Sequence, residues 1–214
     1  DLAEFGSYTE LLSSILQKCE ASNDADKYLE SVAELKRLEA MFPGESWLTD
    51  YYLALYEIQM SVGKKDGNDA VMKEAMERVS KLKADKTADF SEVMTLEGYY
   101  YYALISADSA NNGRAYYKSV IDSYNRALTA NPDNPRASLL LTIFNLNMSQ
   151  TTGTKVNVEG LPETIKKIEA EISTLNQENE KLLIREKDSK AKEQSRGMPC
   201  RHLWRVLVLR WPQF

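Results

Sequence analysis

The stretch YNRALTANPDNPRA, residues 124–137, combines the end of one helix, a turn and the start of a second helix. Pro132 cannot continue a helix, because proline lacks the backbone N–H and restricts the residue before it. Asn134 is a favoured N-cap residue, and Pro135 suits the first helical position that follows the cap. The stretch therefore predicts two helices joined by a short turn, with the second helix starting at Pro135.

Apolar residues recur at helical spacing in seven segments of the chain. The predicted helices cover residues 7–20, 24–42, 46–62, 68–84, 90–107, 114–130 and 135–149. The polar stretch DSANNGR, residues 108–114, is predicted to be a turn. Because the connections are short, neighbouring helices are predicted to run antiparallel, and the fold class is predicted to be all-α.

A repeat of 44 residues links three of these segments. Residues of matched size or class share this spacing in four triplets: Ala54/Gly98/Thr142, Leu55/Tyr99/Ile143, Tyr56/Tyr100/Phe144 and Ile58/Tyr102/Leu146. A period of about 20–50 residues is typical of helical solenoids, in which each helix pair stacks on the next.

The pattern Tyr124-x-x-Ala127-Leu128-x-x-x-Pro132 resembles the second helix and exit turn of a tetratricopeptide repeat. Gly98 is similar to the small residue of that family's first helix. The resemblance implies a solenoid of antiparallel helix pairs over residues 1–150, followed by a long C-terminal helix. The usual unit is about 34 residues, so the spacing of 44 implies longer helices or turns here.

Two longer stretches extend the resemblance. SWLTDYYLALYEIQMS (residues 46–61) and RAYYKSVIDSYNRALTANPDNPRASLLL (residues 114–141) are similar to segments of small exported bacterial tetratricopeptide-like proteins. The turn at residues 81–86 departs from the family pattern, because it lacks the expected proline. The resemblance implies a binding or scaffold module without a catalytic role.

In the family, the first helix of each pair lines a concave face that binds a peptide or partner subunit. Counted from the small position, the residues implied for this face are Tyr51, Leu55, Gln59, Thr95, Tyr99, Tyr102, Arg136 and Asn147. Tyrosine offers a broad contact area with a polar tip. Tyr99 and Tyr102 are predicted to be exposed in the groove, whereas Leu55 is predicted to be core. The alternative is that another helix of the chain fills the groove.

Four consecutive tyrosines, Tyr99 to Tyr102, cannot all face one core, because a helix turns by about 100° per residue. Tyr101 follows Gly98 at the spacing of the core within its own helix pair. Tyr100 repeats Tyr56 at the 44-residue interval and is predicted to pack between pairs. Tyr99 and Tyr102 are left for the predicted concave face.

The C-terminal third differs in composition. Residues 151–162 are predicted to be a linker, and residues 163–195 a polar helix with a short heptad pattern and Asn179 at an a position. Three alternatives stay open for this helix: a cap on the last repeat, a weak coiled-coil dimer through residues 163–185, or a solvated helix. The basic, apolar tail, residues 196–214, is interpreted as an interfacial anchor, a partner-binding strand or a non-native end.

Charge and composition exclude several classes of protein. The net charge is −5, and because the tail carries four arginines and no acid, residues 1–195 carry −9, which argues against nucleic-acid binding. No run reaches about 18 apolar residues, so no transmembrane segment is predicted. The chain begins with Asp1, which is compatible with removal of an export signal or with a shortened chain; both alternatives stay open.

Catalytic and metal-binding patterns are absent from the sequence. His202 is the only histidine and lies in the tail, and the two cysteines are far apart, so no catalytic triad, metal site or cofactor is predicted. The carboxylates of Glu92 and Glu97 are interpreted as a solvated helix face.

The sequence thus predicts a non-enzymatic scaffold or adaptor that binds a protein or peptide, expected in an envelope complex and in the periplasm or another exported location. A cytoplasmic location is the alternative. The rival function is an envelope accessory protein that binds a small molecule or glycan in an aromatic, helix-lined pocket.

Overall fold

A computed structural model describes residues 7–24, 26–64 and 67–152, together with the isolated positions 166 and 170. These residues form an all-α structure without strands. The helices are α1 (Tyr8–Ala21), α2 (Lys27–Met41), α3 (Trp47–Ser61), α4 (Asp69–Ala84), α5 (Phe90–Ala107), α6 (Ser109–Ala130) and α7 (Pro135–Thr152). The chain divides into two units, Asp1–Asn157 and Val158–Phe214, and all seven helices belong to the first.

The start of α7 confirms the prediction made from residues 124–137. Asn134 caps the helix, because its Oδ1 accepts hydrogen bonds from the backbone N–H groups of Arg136 and Ala137, both at 3.0 Å. Pro135 occupies the first helical position, where a missing N–H costs nothing.

The prediction of a turn at residues 108–114 is wrong. α5 ends at Ala107 and α6 begins at Ser109, so Asp108 alone connects the two helices. Asp108 caps α6 by accepting a hydrogen bond from the Asn111 N–H at 3.2 Å. Asn112 donates its side-chain amide to the Leu104 carbonyl at 2.8 Å and so satisfies an end group of α5. Polar residues typical of turns thus serve here as the ends of two helices.

Packing places α3 and α5 at the centre of the described helices. α3 contacts α2, α4 and α5, and α5 contacts α3, α4, α6 and α7. Every residue from Leu48 to Ile58 and from Ser91 to Tyr99 is buried, whereas α4 buries a single stripe. Helices surrounded by neighbours bury even their polar positions, so those positions need partners within the fold.

Gly98 sets the close approach of α5 and α6. A Cβ added to Gly98 would lie 2.6 Å from the ring of Tyr124, which is itself fully buried. The small residue and the tyrosine that carry the sequence resemblance therefore pack directly against each other.

The predicted start of the linker at residue 151 is wrong, because α7 continues to Thr152. The rest of the predicted linker, the predicted polar helix and the predicted tail, residues 153–214, lie outside the described residues apart from positions 166 and 170. Of the helices that the structure describes, none is long and apolar enough to cross a membrane.

Candidate functional site: the aligned faces of α3, α5 and α7

The eight residues implied for the binding face lie on three helices that touch in order. Tyr51, Leu55 and Gln59 lie on α3, Thr95, Tyr99 and Tyr102 on α5, and Arg136 and Asn147 on α7. α5 contacts both of the other helices. The structure therefore brings these residues together, although they come from segments about 40 residues apart in the chain.

One part of this face is a buried polar network centred on Glu92. Glu92 Oε2 accepts hydrogen bonds from the Tyr51 hydroxyl at 2.9 Å and from Arg136 Nη1 at 2.8 Å. Its Oε1 accepts a third from Asn134 Nδ2 at 3.1 Å. Burial and the nearby Glu92 charge raise the pKa of Tyr51 well above its usual value, so this phenol stays protonated and donates.

Asn134 joins this network to the turn before α7. Its Nδ2 also lies 2.9 Å from Ser91 Oγ and 3.4 Å from Thr95 Oγ1. Ser91 in turn donates to the Ala127 carbonyl of α6 at 2.9 Å. One capping residue thereby fastens the start of α7 to both α5 and α6.

The interpretation of Glu92 and Glu97 as a solvated face is wrong. Both residues are buried. Glu97 accepts from Lys83 of α4 at 2.6 Å and from Ser123 of α6 at 3.2 Å. One sequence signal could have found Glu92: it lies 44 residues before Arg136, at the repeat spacing and with the opposite charge.

A second part of the face consists of two tyrosine–amide pairs. The Tyr99 hydroxyl donates to Gln59 Oε1 at 2.5 Å, across the contact between α3 and α5. Asn147 Nδ2 donates to the Tyr102 hydroxyl at 3.0 Å, across the contact between α5 and α7. The rings of Tyr99 and Tyr102 stack with their centroids 6.5 Å apart.

The eight residues differ in how far they are exposed to solvent. Tyr51, Leu55, Thr95, Tyr99 and Arg136 are buried, Gln59 and Tyr102 are half-buried, and Asn147 is exposed. The predicted groove exposure of Tyr99 is wrong: its side chain is 0% exposed, because it packs between α3 and α5. Burial raises the pKa of the Tyr99 hydroxyl, and the nearby Tyr28 and Tyr102 raise it further. The prediction that Leu55 is core is confirmed.

The remaining tyrosines of the run follow the prediction in part. Tyr101 stacks on Tyr116 of α6 at 5.6 Å, within its own helix pair as predicted. The Tyr100 ring contacts that of Tyr101 at 5.5 Å, and its packing between pairs stays a prediction. Its counterpart Phe144 does pack against another pair, at 5.9 Å from the Tyr102 ring.

The accessible part of this region is a small cluster, here called the aromatic rim: Tyr102 of α5, Tyr117 of α6 and Asn147 of α7. Phe144 lies beneath the cluster and is only 1% exposed, because its ring packs against those of Tyr102 at 5.9 Å and Tyr117 at 5.5 Å. Tyr117 is 43% exposed. The aromatic rim therefore presents apolar ring surface together with hydroxyl and amide groups.

The described residues contain no group of three or more His, Cys, Asp and Glu side chains that could hold a metal ion. Comparison of the chain with protein-family models, with curated proteins and with solved structures found no match.

Proposed function

We propose that the chain is a protein–protein interaction module of tetratricopeptide type, a scaffold or adaptor that holds a peptide or partner segment against the faces of α3, α5 and α7. No reaction is proposed for it. The exported location and the envelope complex implied by the resemblance belong to this proposal.

The observation that carries the proposal is the regular pairing of α3, α5 and α7. Four hydrogen bonds join residues 40 to 45 positions apart: Tyr51–Glu92, Gln59–Tyr99, Glu92–Arg136 and Tyr102–Asn147. A chain in which each helix pair repeats the contacts of the last builds an extended face, which is the surface that repeat proteins use for binding.

The two parts of the face have different roles in this proposal. The buried network around Glu92 keeps α3, α5 and α7 aligned, and the aromatic rim supplies the contact. Half-buried tyrosines lose little side-chain entropy on binding and combine ring area with a polar tip. Tyr102 is the central contact residue, because its ring packs on the buried Phe144 ring and its hydroxyl accepts a hydrogen bond from the exposed Asn147.

Affinity capture from the native source with matched tyrosine variants tests this proposal. Tyr102→Ala removes the centre of the aromatic rim, whereas Tyr101→Ala removes a neighbouring half-buried tyrosine that stacks on α6 instead. We expect Tyr102→Ala to lose the partner that wild type and Tyr101→Ala retain, with similar circular dichroism and thermal unfolding for both variants. Retention of every partner by Tyr102→Ala would contradict the proposal.

A further inference from the structure

Glu57 is a buried carboxylate between α2 and α4. It lies on α3 and is 1% exposed. No donor among the described residues lies within hydrogen-bond distance of either of its carboxylate oxygens. The nearest opposite charges are Lys36 Nζ of α2, 3.8 Å from Oε1, and Arg78 Nε of α4, 3.8 Å from Oε2. Both distances exceed the range of a hydrogen bond.

Both cations have closer partners than Glu57. Lys36 donates to Glu74 at 2.8 Å. Arg78 donates to Asp50 at 2.8 Å and to Glu39 at 3.0 Å. These three ion pairs, here called the outer pairs, join α2 and α3 to α4. Each of them keeps a cation closer to another acid than to Glu57.

The cluster holds more acid than base. Glu39, Asp50, Glu57 and Glu74 face Lys36, Arg78 and Lys81, so ionisation of Glu57 leaves an excess of negative charge at its most buried position. Three charged groups on α1 and α5 form ion pairs away from Glu57: Glu92 with Arg136, Glu97 with Lys83, and Lys18 of α1 with Glu34.

We propose that the protonation state of Glu57 controls how tightly α2 and α4 are held together. When protonated, Glu57 leaves Lys36 and Arg78 to the outer pairs that hold these helices together. When ionised, it carries a buried charge that is relieved only if one of the cations leaves its outer partner. This inference does not depend on the proposed binding function.

The pKa of Glu57 is consistent with this geometry. Burial, reinforced by Glu74 and opposed by Arg78 and Lys36, raises it to about 7. An unfolded glutamate titrates near pH 4.3, so between about pH 4.5 and 7 the folded chain holds a proton that the unfolded chain has lost. Stability from this group is therefore fully present below about pH 4.5 and falls as the pH rises to about 7.

Urea unfolding at several pH values tests the proposal. Glu57→Gln keeps the volume of the protonated side chain and cannot ionise, and Glu77→Gln makes the same change at an exposed carboxylate of α4. Between pH 5 and 8, the wild-type folding constant should fall at least tenfold further than that of Glu57→Gln. Glu77→Gln should follow wild type. An equal fall in wild type and Glu57→Gln would overturn the proposal.

A direct titration of Glu57 gives a second readout that needs no variant. The side-chain carboxyl carbon of Glu57 in wild type, followed by NMR, should titrate near pH 7, and amide hydrogen exchange in α2 and α4, corrected for its intrinsic rate, should speed up above that pH relative to α6. A midpoint near pH 4.5, or equal exchange in all three helices, would overturn the proposal.

Discussion

Glu92 and Glu57 are buried carboxylates on neighbouring helices, but their surroundings differ. Glu92 accepts three hydrogen bonds, from Tyr51, Arg136 and Asn134, at 2.8 to 3.1 Å. Glu57 accepts none among the described residues, and its two cations stay at 3.8 Å. Burial is nearly the same at both sites, so the difference lies in whether donors reach the oxygens. A buried carboxylate needs donors that reach its oxygens, because an uncompensated buried charge lowers the free energy of unfolding.

The largest expected effect comes from Arg136→Met. The change leaves the Glu92 charge buried without its cation, since the side chains of Arg136 and Glu92 are only 4% and 7% exposed. We expect a loss of about 3–5 kcal/mol in the free energy of unfolding, measured with urea at neutral pH. Adding Glu92→Gln should recover part of this loss, because it removes the unpaired charge. If the double variant recovers none of the lost free energy of unfolding, the ion pair between Arg136 and Glu92 does not stabilise the network.

Gly98→Ala should have the next largest effect. The added methyl group meets the Tyr124 ring at 2.6 Å, so α5 and α6 must separate and disturb the network that Asn134 forms with α5. We expect a loss of up to about 3 kcal/mol in thermal or urea unfolding, with the titration of Glu57 unchanged.

Gly113→Ala is the matched control for Gly98→Ala. It lies within α6, and a Cβ there meets nothing within 4 Å. The same change should therefore stabilise the protein slightly, by about 0.5–1 kcal/mol, through helix propensity. Equal losses in both variants would mean that the close contact at Gly98 is unimportant.

Arg78→Met should have a moderate effect on the Glu57 cluster. Arg78 pairs with Asp50 and Glu39 and is partly shielded from water, so its loss should cost about 1–2 kcal/mol in urea unfolding. Because the Arg78 charge lowers the pKa of Glu57, the NMR titration midpoint of Glu57 should rise in the variant. A fall in that midpoint would contradict the cluster geometry.

Lys118→Ala should give the smallest change in the free energy of unfolding. Lys118 pairs with Asp122 one turn later on α6, and both side chains are exposed to water. Removing such a pair should change the free energy of unfolding by no more than about 0.5 kcal/mol. A loss equal to that of Arg78→Met would mean that partly buried and exposed ion pairs contribute equally to the stability of this protein.

Much of the secondary structure followed from local patterns. Apolar periodicity located the seven helices within residues 7–152 that the structure describes, and capping chemistry placed the start of α7 at Pro135. The start of α6 was missed, because Asp108 and the asparagines after it favour a turn and a helix N-terminus equally well. Only the packing of α6 against α5 decides between these two structures.

The prediction was right about which helices carry the candidate site but not about which of its residues are exposed. The tetratricopeptide resemblance implied a face that includes Tyr51, Tyr102 and Arg136, and these residues lie on α3, α5 and α7, of which α5 contacts both of the others. It could not show that Arg136 is buried, because burial depends on neighbours brought in by other parts of the chain. Glu57 was missed for the same reason, although a single acid in the apolar stretch YYLALYEI is a signal of buried charge.

Local sequence determined the helices, their caps and the repeat spacing, since these depend on interactions within a few residues or on simple periodicity. Tertiary structure alone decided which carboxylates receive donors. Arg136 and Asn134 reach Glu92 from 44 and 42 residues away, whereas Lys36 and Arg78 are held away from Glu57 by other acids. The energy of a buried charge depends on atoms within a few ångströms, and those atoms become neighbours only when the helices pack.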